Sequence, residues 1–410
     1  MHQLPNKLVR YALAGIAVLS LLIVLGWFAL REEPSPPIPQ LTPRKETAKP
    51  HVRQEVPAPM PAVDSTNQES TVQVPESVTQ NAADLYRQAF DLFDALTNDE
   101  KSILSDWHTN VDASVEAEMC QKIRPICNLI YQASAMTNCN WGITLTDLEL
   151  SSLLGKSRNL GRITVWNAAH CRSDDVAGAT EDTCAILRLG QQVSQGPSIG
   201  WLQGIALQNI ASSYVAQNVG LFGGADSQRL AEAFSDPAYE QAPSRMVGQG
   251  ADAHESFAAK LAAMAPVEAA KVLSELATTY NVAVPDRDAA VTMIHQIVDS
   301  EREMARALAS ASEDYSEAWQ EDATILQASN ALAKGILEGD EVFVDQLRRA
   351  EIKRALVVAG LAVAQQGVST LPSHPDPSSG KPFTYTGTAD GFELQSSYEF
   401  NGEPIRMQFK

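Results

Sequence analysis

The chain has 410 residues, with 31 Lys and Arg against 50 Asp and Glu, which gives a formal net charge of −19. That length allows two or three domains. The acidic excess lies on residues 81–410, because residues 1–80 hold seven basic and seven acidic side chains. An acidic surface repels nucleic acid and anionic lipid, so we expect no nucleic-acid binding.

The first element along the chain is an apolar stretch at residues 11–30, which reads YALAGIAVLSLLIVLGWFAL and contains no charge. Twenty residues in a helix span ~30 Å, the thickness of the hydrocarbon core of a bilayer. A cleaved signal peptide has a shorter apolar region and a small-residue cleavage site, whereas this stretch ends in GWFALR. The sequence therefore predicts a retained transmembrane anchor.

The charges that flank this stretch predict its orientation. Lys7 and Arg10 precede it, and the arginine that follows it is succeeded by Glu32 and Glu33. Basic residues favour the cytoplasmic side of a membrane. Residues 1–10 are therefore predicted to be cytoplasmic. The expected location is a membrane crossed once, with the ectodomain outside the cytoplasm; in a bacterium this is the inner membrane and the periplasm.

Residues 31–80 contain ten of the 22 prolines of the chain, together with many Ser, Thr and Gln. Such a composition cannot bury enough apolar surface to order itself, so we predict a disordered linker. Its root-mean-square span is about 40 Å, which would hold the following domain clear of the membrane.

A mainly α-helical ectodomain is predicted over residues 81–367. Its opening, NAADLYRQAFDLFDAL, places apolar residues at helical spacing. Thr97 with Glu100 forms a capping-box pattern that opens the next helix. Several Ala-rich helices follow, which indicates αα-hairpins, for which a solenoid-like arrangement is one option. The Pro- and Gly-rich residues 236–250 predict a surface loop and a boundary within the ectodomain.

Residues 368–410 predict a small β-hairpin tail. The segments FTYT, GFELQSS and IRMQF alternate between polar and apolar side chains, as short strands do. Asn401–Gly402 is a strong turn dipeptide. We expect two or three strands that pack against the last helix.

All five cysteines lie beyond the apolar stretch, which fits an oxidising compartment. They are Cys120, Cys127, Cys139, Cys171 and Cys184. An odd number leaves at least one thiol unpaired. His170 adjoins Cys171, but no CxxC or HxxxH motif accompanies the pair, so we expect no metal site. No motif predicts a cofactor.

The helical pattern also predicts which cysteines pair. Thr180 is a candidate N-cap for a helix that begins Glu181–Asp182, which places Cys184 near the start of that helix. Cys171 ends the helix before it. Antiparallel helices bring residues at matched distances from the turn between them face to face, which favours a Cys171–Cys184 disulfide. Cys127–Cys139 is the next best pair.

Residues 196–200 match the G-x-S-x-G pattern of a nucleophile elbow. Ser198 would then be the nucleophile, and His254 or His295 its base. That chemistry needs a strand before the turn, whereas a helical pattern precedes it here. The sequence favours a helix-breaking loop and assigns no catalytic residue, and an envelope hydrolase using Ser198 is an alternative.

The segment PDPSSGKPFTY at residues 375–385, followed by GFEL at residues 391–394, resembles the ending of membrane-anchored helical proteins of unknown function in some bacteria. Those proteins end in Asp-Pro, an aromatic residue, GKP and a tyrosine, and Ser378 stands here where the aromatic is usual. The opening NAADLYRQAFDLF and the turn CNWG at residues 139–142 also resemble this group. The resemblance implies fold and topology and brings no catalytic residue.

The same ending resembles, more weakly, that of the major pseudopilins of type II secretion. Those proteins carry a glutamate inside the apolar helix, and residues 11–30 contain none. A pseudopilin-like secretion component is therefore an alternative. The leading expectation is a membrane-tethered extracytoplasmic helical scaffold or interaction protein of the bacterial envelope. Its expected partners are the membrane, through residues 11–30, and another envelope protein.

Overall fold

A computed structural model describes residues 81–142, 149–194, 198–280, 283, 286–309, 326 and 330–410 of the chain. The predicted anchor at residues 11–30 and the predicted linker at residues 31–80 lie outside the described residues. Within the described ranges, no helix is both long enough and apolar enough to cross a membrane.

The described part of the chain is mainly helical, as predicted. Its α-helices are, in chain order, α1 (Ala82–Asp94), α2 (Asn98–Ser105), α3 (Ala113–Ser134), α4 (Glu149–Trp166), α5 (Val176–Val193), α6 (Ser198–Gln217), α7 (Gly224–Phe234), α8 (Ala238–Ala263), α9 (Pro266–Tyr280), α10 (Arg287–Ala309) and α11 (Ala331–Gln366). A π-helical turn, Asn167–Cys171, follows α4 directly. Short 3₁₀ turns, Val219–Leu221 and Val368–Ser373, follow α6 and α11.

Side-chain caps define the starts of the first two helices. Asn81 accepts a hydrogen bond from Ala83 N, and its amide donates to the carbonyl of Asn140 at 2.7 Å. The start of α1 is thereby tied to the segment that follows α3. The predicted capping box is confirmed, because Glu100 N donates to Thr97 Oγ1 and Thr97 N donates to Glu100 Oε2.

The C-terminal strands form one antiparallel sheet in the order β1-β2-β3. The strands are β1 (Thr384–Thr388), β2 (Gly391–Phe400) and β3 (Glu403–Phe409). A small sheet at this end of the chain is therefore confirmed, with three strands where a hairpin has two. The turn at Asn401–Gly402 joins β2 to β3, and both residues have positive φ, at 54° and 77°.

The sheet packs against α11 and the end of α6. A Cβ atom added at Gly360 of α11 would lie 2.1 Å from the ring of Phe409, so a residue without a side chain permits this contact. Phe409 is fully buried and stacks on Phe392 at 4.9 Å between ring centroids. The last residue is also held, because Lys410 N donates to Ala216 O at 3.0 Å.

Buried apolar side chains form two clusters. The larger cluster contains residues of α1 to α7, the C-terminal half of α11 and the sheet. The smaller cluster contains Trp201 and Ile205 of α6 together with residues of α8, α9, α10 and the N-terminal half of α11. Helix α11 contributes to both, with Ala350 in the smaller cluster and Ile352 in the larger one.

The surface loop predicted at residues 236–250 is wrong, because α8 runs without interruption from Ala238 to Ala263. Its apolar side chains, including Met246, Val247 and Ala251, are buried in the smaller cluster. This packing outweighs the low helix propensity of the glycines in the segment. Tyr239, near the start of the same helix, belongs to the larger cluster.

Candidate functional site

One disulfide joins α3 to the π-helical turn that follows α4. It links Cys120 to Cys171, with 5.6 Å between the two Cα atoms. The predicted pairs Cys171–Cys184 and Cys127–Cys139 are therefore wrong. Cys127 and Cys139 are buried free thiols, and Cys184 is a half-buried free thiol.

The π-helical turn explains why the prediction failed. A π-turn closes each hydrogen bond over five residues instead of four, so side chains after it point in directions that an α-helical pattern does not predict. In this turn Cys171 lies against α3. Cys184 lies in the third turn of α5, which begins at Val176 with Asp175 as its N-cap, rather than at Glu181.

A buried polar network lies beside the disulfide. Asp182 of α5 is 0% exposed. The hydroxyl of Tyr131 donates to its Oδ1, and the amide of Asn167 donates to its Oδ2 at 2.9 Å. Arg172 Nε lies 3.5 Å from the same oxygen. Because Asn167 opens the π-turn and Arg172 follows it, the disulfide restrains the segment that supplies two partners of Asp182.

Burial has the largest effect on the pKa values of Asp182 and Tyr131. It raises the pKa of Asp182 to about 7, although Tyr131, Asn167 and Arg172 all favour the ionised carboxylate. Burial and the neighbouring carboxylate raise the pKa of Tyr131 far above its ordinary value. The phenol therefore stays protonated and acts as a donor to Asp182.

His170 is held on three sides. Its Nε2 contacts the carbonyl oxygen of Trp107 at 3.0 Å, its Nδ1 contacts Glu116 Oε1 at 3.2 Å, and its ring stacks on Trp166 at 4.4 Å. These contacts give the imidazole a packing role next to Cys171. Within the described ranges, no group of three or more His, Cys, Asp or Glu is arranged to hold a metal ion.

A cleft of about 320 Å³ opens between α3, α5 and α7, on the outer side of this network. Tyr131 is shared between the network and the cleft. The polar side chains and the thiol of the α5 wall, Glu181, Cys184, Arg188 and Gln191, recur at spacings of three and four residues. That spacing is visible in the sequence, but no known motif marks it, so the cleft was not predicted.

The residues of the hydrolase alternative lie on three helices. Ser198 is the first residue of α6, and its side chain lies outside the described residues. His254 of α8 contacts Glu301 of α10, with 2.9 Å between Nδ1 and Oε2, and Glu301 is 4% exposed. His295 is exposed on α10. The His254–Glu301 pair joins the two helices across the smaller cluster.

The segment that carries the family resemblance is organised by Asp376, which is 1% exposed. Its carboxylate accepts hydrogen bonds from the backbone and hydroxyl groups of Ser378 and Ser397 and from the hydroxyl of Ser396. Burial alone would raise the pKa of Asp376, but these hydrogen bonds outweigh it and lower the pKa below its usual value. The aspartate therefore fastens the loop before β1 to β2.

Comparison of the chain with models of protein families, with curated proteins and with solved structures found no match. The resemblance of residues 375–385 to the ending of membrane-anchored helical proteins stays a prediction. The candidate functional site is accordingly defined by geometry: the cleft, with the Asp182 network behind it and the Cys120–Cys171 disulfide beside that network.

Proposed function

We propose that this chain is a single-pass protein of the bacterial inner membrane that acts as a scaffold or interaction module of the envelope. Residues 11–30 would form the anchor and residues 31–80 the linker. Residues 81–410 would lie outside the cytoplasm. The charges on either side of the apolar stretch support this orientation.

The Cys120–Cys171 disulfide is the observation that carries the proposal. Stable disulfides form in oxidising compartments such as the periplasm, whereas the bacterial cytosol keeps thiols reduced. The bond joins α3 to a turn that supports the buried network, so it belongs to the folded core of the ectodomain. Its location supports an ectodomain that folds outside the cytoplasm.

The charge of the ectodomain supports a binding role. The polar side chains beside the disulfide, Asp182 and His170, are each engaged by two or more neighbours. The ectodomain carries the acidic excess of the chain. Its surface therefore suits association with an envelope protein that presents a basic patch.

Fractionation tests the anchor. We expect the full-length protein to stay in the membrane pellet after washing with alkaline carbonate, because about twenty apolar residues insert stably into a bilayer. A variant that lacks residues 11–30 should become soluble. A matched variant that lacks residues 51–70 of the linker, an equal number of residues, should stay in the pellet. Release of the full-length protein by carbonate would contradict the proposal.

Crosslinking in native membranes tests the scaffold role. We expect full-length protein to crosslink reproducibly to a specific envelope protein through residues 81–410. Recovery of the chain alone, with no crosslinked partner under conditions that crosslink a known envelope complex, would reject the scaffold role and leave the anchor intact.

A further inference from the structure

The cleft between α3, α5 and α7 brings two arginines together. Arg188 extends from α5 and Arg229 from α7, and both side chains line the cleft. Arg188 Nη1 donates to Gln191 Oε1 at 2.9 Å, which orients its guanidinium group. Arg229 is exposed at the other wall.

These two arginines are notable because the chain is strongly acidic. Among the described residues, neither guanidinium forms an ion pair with a carboxylate, whereas Arg172, Arg287 and Arg302 each do. Asp236, which also lines the cleft, accepts a hydrogen bond from Ala238 N, at the first residue of α8, at 2.8 Å. Arg188 donates to an amide oxygen and neither group is neutralised by a carboxylate of the described residues, so both guanidinium groups keep donors for an anionic ligand.

The remaining lining restricts what can bind. Ala233 supplies apolar surface beside the two arginines, whereas Ala185 and Leu187, at 3% and 2% exposed, contribute little. A volume near 320 Å³ is at the lower end of the range for small-molecule sites. A planar guanidinium matches a carboxylate in a two-point hydrogen bond.

We propose that this cleft binds a small organic monocarboxylate, with the carboxylate between Arg188 and Arg229 and an apolar body against Ala233. The carboxylates of Glu181 and Asp236 on the same cleft repel a dianion such as phosphate more strongly than a monocarboxylate. This inference concerns the ectodomain alone and is independent of the membrane anchor.

The reactivity of the Cys184 thiol reports whether a ligand occupies the cleft. Its thiol lines the cleft and is half-buried, whereas the other free thiols, Cys127 and Cys139, are 2% and 8% exposed. A ligand in the cleft should shield Cys184 from a neutral alkylating reagent. Cys127 and Cys139 report on general unfolding in the same sample.

The test follows alkylation of Cys184 by N-ethylmaleimide, using peptide mass spectrometry of the full-length protein in non-ionic detergent. We expect benzoate at about four times its Kd to slow alkylation about fivefold, since only the unoccupied fraction of the protein then reacts. Benzylamine, which has the same ring and the opposite charge, should leave the rate within about twofold, and so should inorganic phosphate at equal ionic strength.

Arginine variants assign the effect to the cleft. Arg188→Gln and Arg229→Gln should each remove most of the protection by benzoate. Arg406→Gln, which removes an exposed arginine of β3 outside the cleft, should retain it. Arg229 is exposed, so its variant is expected to fold even where the Arg188 variant does not. Equal alkylation of Cys184 with and without benzoate, or equal protection by benzylamine or phosphate, would overturn the proposal.

Discussion

Replacing both cysteines of the disulfide, Cys120→Ala with Cys171→Ala, is expected to lower the free energy of unfolding by about 4 kcal/mol. The cysteines are 51 residues apart in the sequence, and a crosslink that closes a loop of this length restricts the unfolded chain by ~4 kcal/mol in the chain-entropy model. Urea denaturation of the full-length protein, followed by tryptophan fluorescence, measures the difference.

A matched control separates the crosslink from the loss of a thiol. Cys184→Ala removes a half-buried free cysteine in the same region and is expected to cost no more than about 1 kcal/mol. Added reductant should destabilise the wild-type protein as much as the double substitution does, and should have no effect on the double variant. If the double variant and the Cys184 variant were equally stable, the disulfide would have no structural role.

Removing the buried carboxylate, Asp182→Ala, is expected to lower the free energy of unfolding by about 3 kcal/mol. The substitution leaves the hydroxyl of Tyr131 without its acceptor and removes the buried carboxylate that Asn167 and Arg172 contact. Asp174→Ala, at an exposed aspartate before α5, is the control and should change stability by about 0.5 kcal/mol or less. Equal effects of the two substitutions on the free energy of unfolding would contradict a stabilising role of the Asp182 network.

The same carboxylate predicts a pH dependence with a defined sign. Burial raises the pKa of Asp182 to about 7 in the folded protein, against about 3.9 in an unfolded chain. Between these values the folded state holds more protons. The contribution of this group to stability is therefore full below about pH 4 and falls as the pH rises to about 7.

Asp182→Asn isolates this contribution, because the amide keeps the shape of the side chain and does not titrate. The stability of the wild type relative to this variant should decrease from about pH 4 to about pH 7 and stay constant above. A difference that is flat across this range would show that the carboxylate titrates in the folded state as it does in the unfolded chain.

Local signals in the sequence predicted much of the secondary structure. The hydroxyl of Thr97 and the carboxylate of Glu100 specify a helix start within four residues, and Asn401–Gly402 specifies a turn within two. Features of this kind depend only on neighbouring residues, so one sequence is sufficient to find them. The predicted small sheet at the C-terminus follows from the same reasoning.

The candidate site depends on contacts between residues that are far apart in the sequence, and local sequence patterns do not predict such contacts. Asp182 was predicted in the first turn of its helix, where a carboxylate would face solvent. Since α5 begins at Val176, Asp182 instead lies in the helix interior and faces Tyr131, 51 residues earlier. The disulfide partner of Cys171 was missed for a related reason, because the π-turn changes the direction of its side chain.

The redox state of Cys120 and Cys171 in cells tests most directly whether residues 81–410 fold outside the cytoplasm. Cells are quenched in acid, free thiols are alkylated, and peptides are mapped without reduction. We predict that Cys120–Cys171 is oxidised in the full-length protein and reduced in a variant that lacks residues 11–30. Reduced cysteines in both proteins, or the disulfide in both, would contradict folding of residues 81–410 outside the cytoplasm.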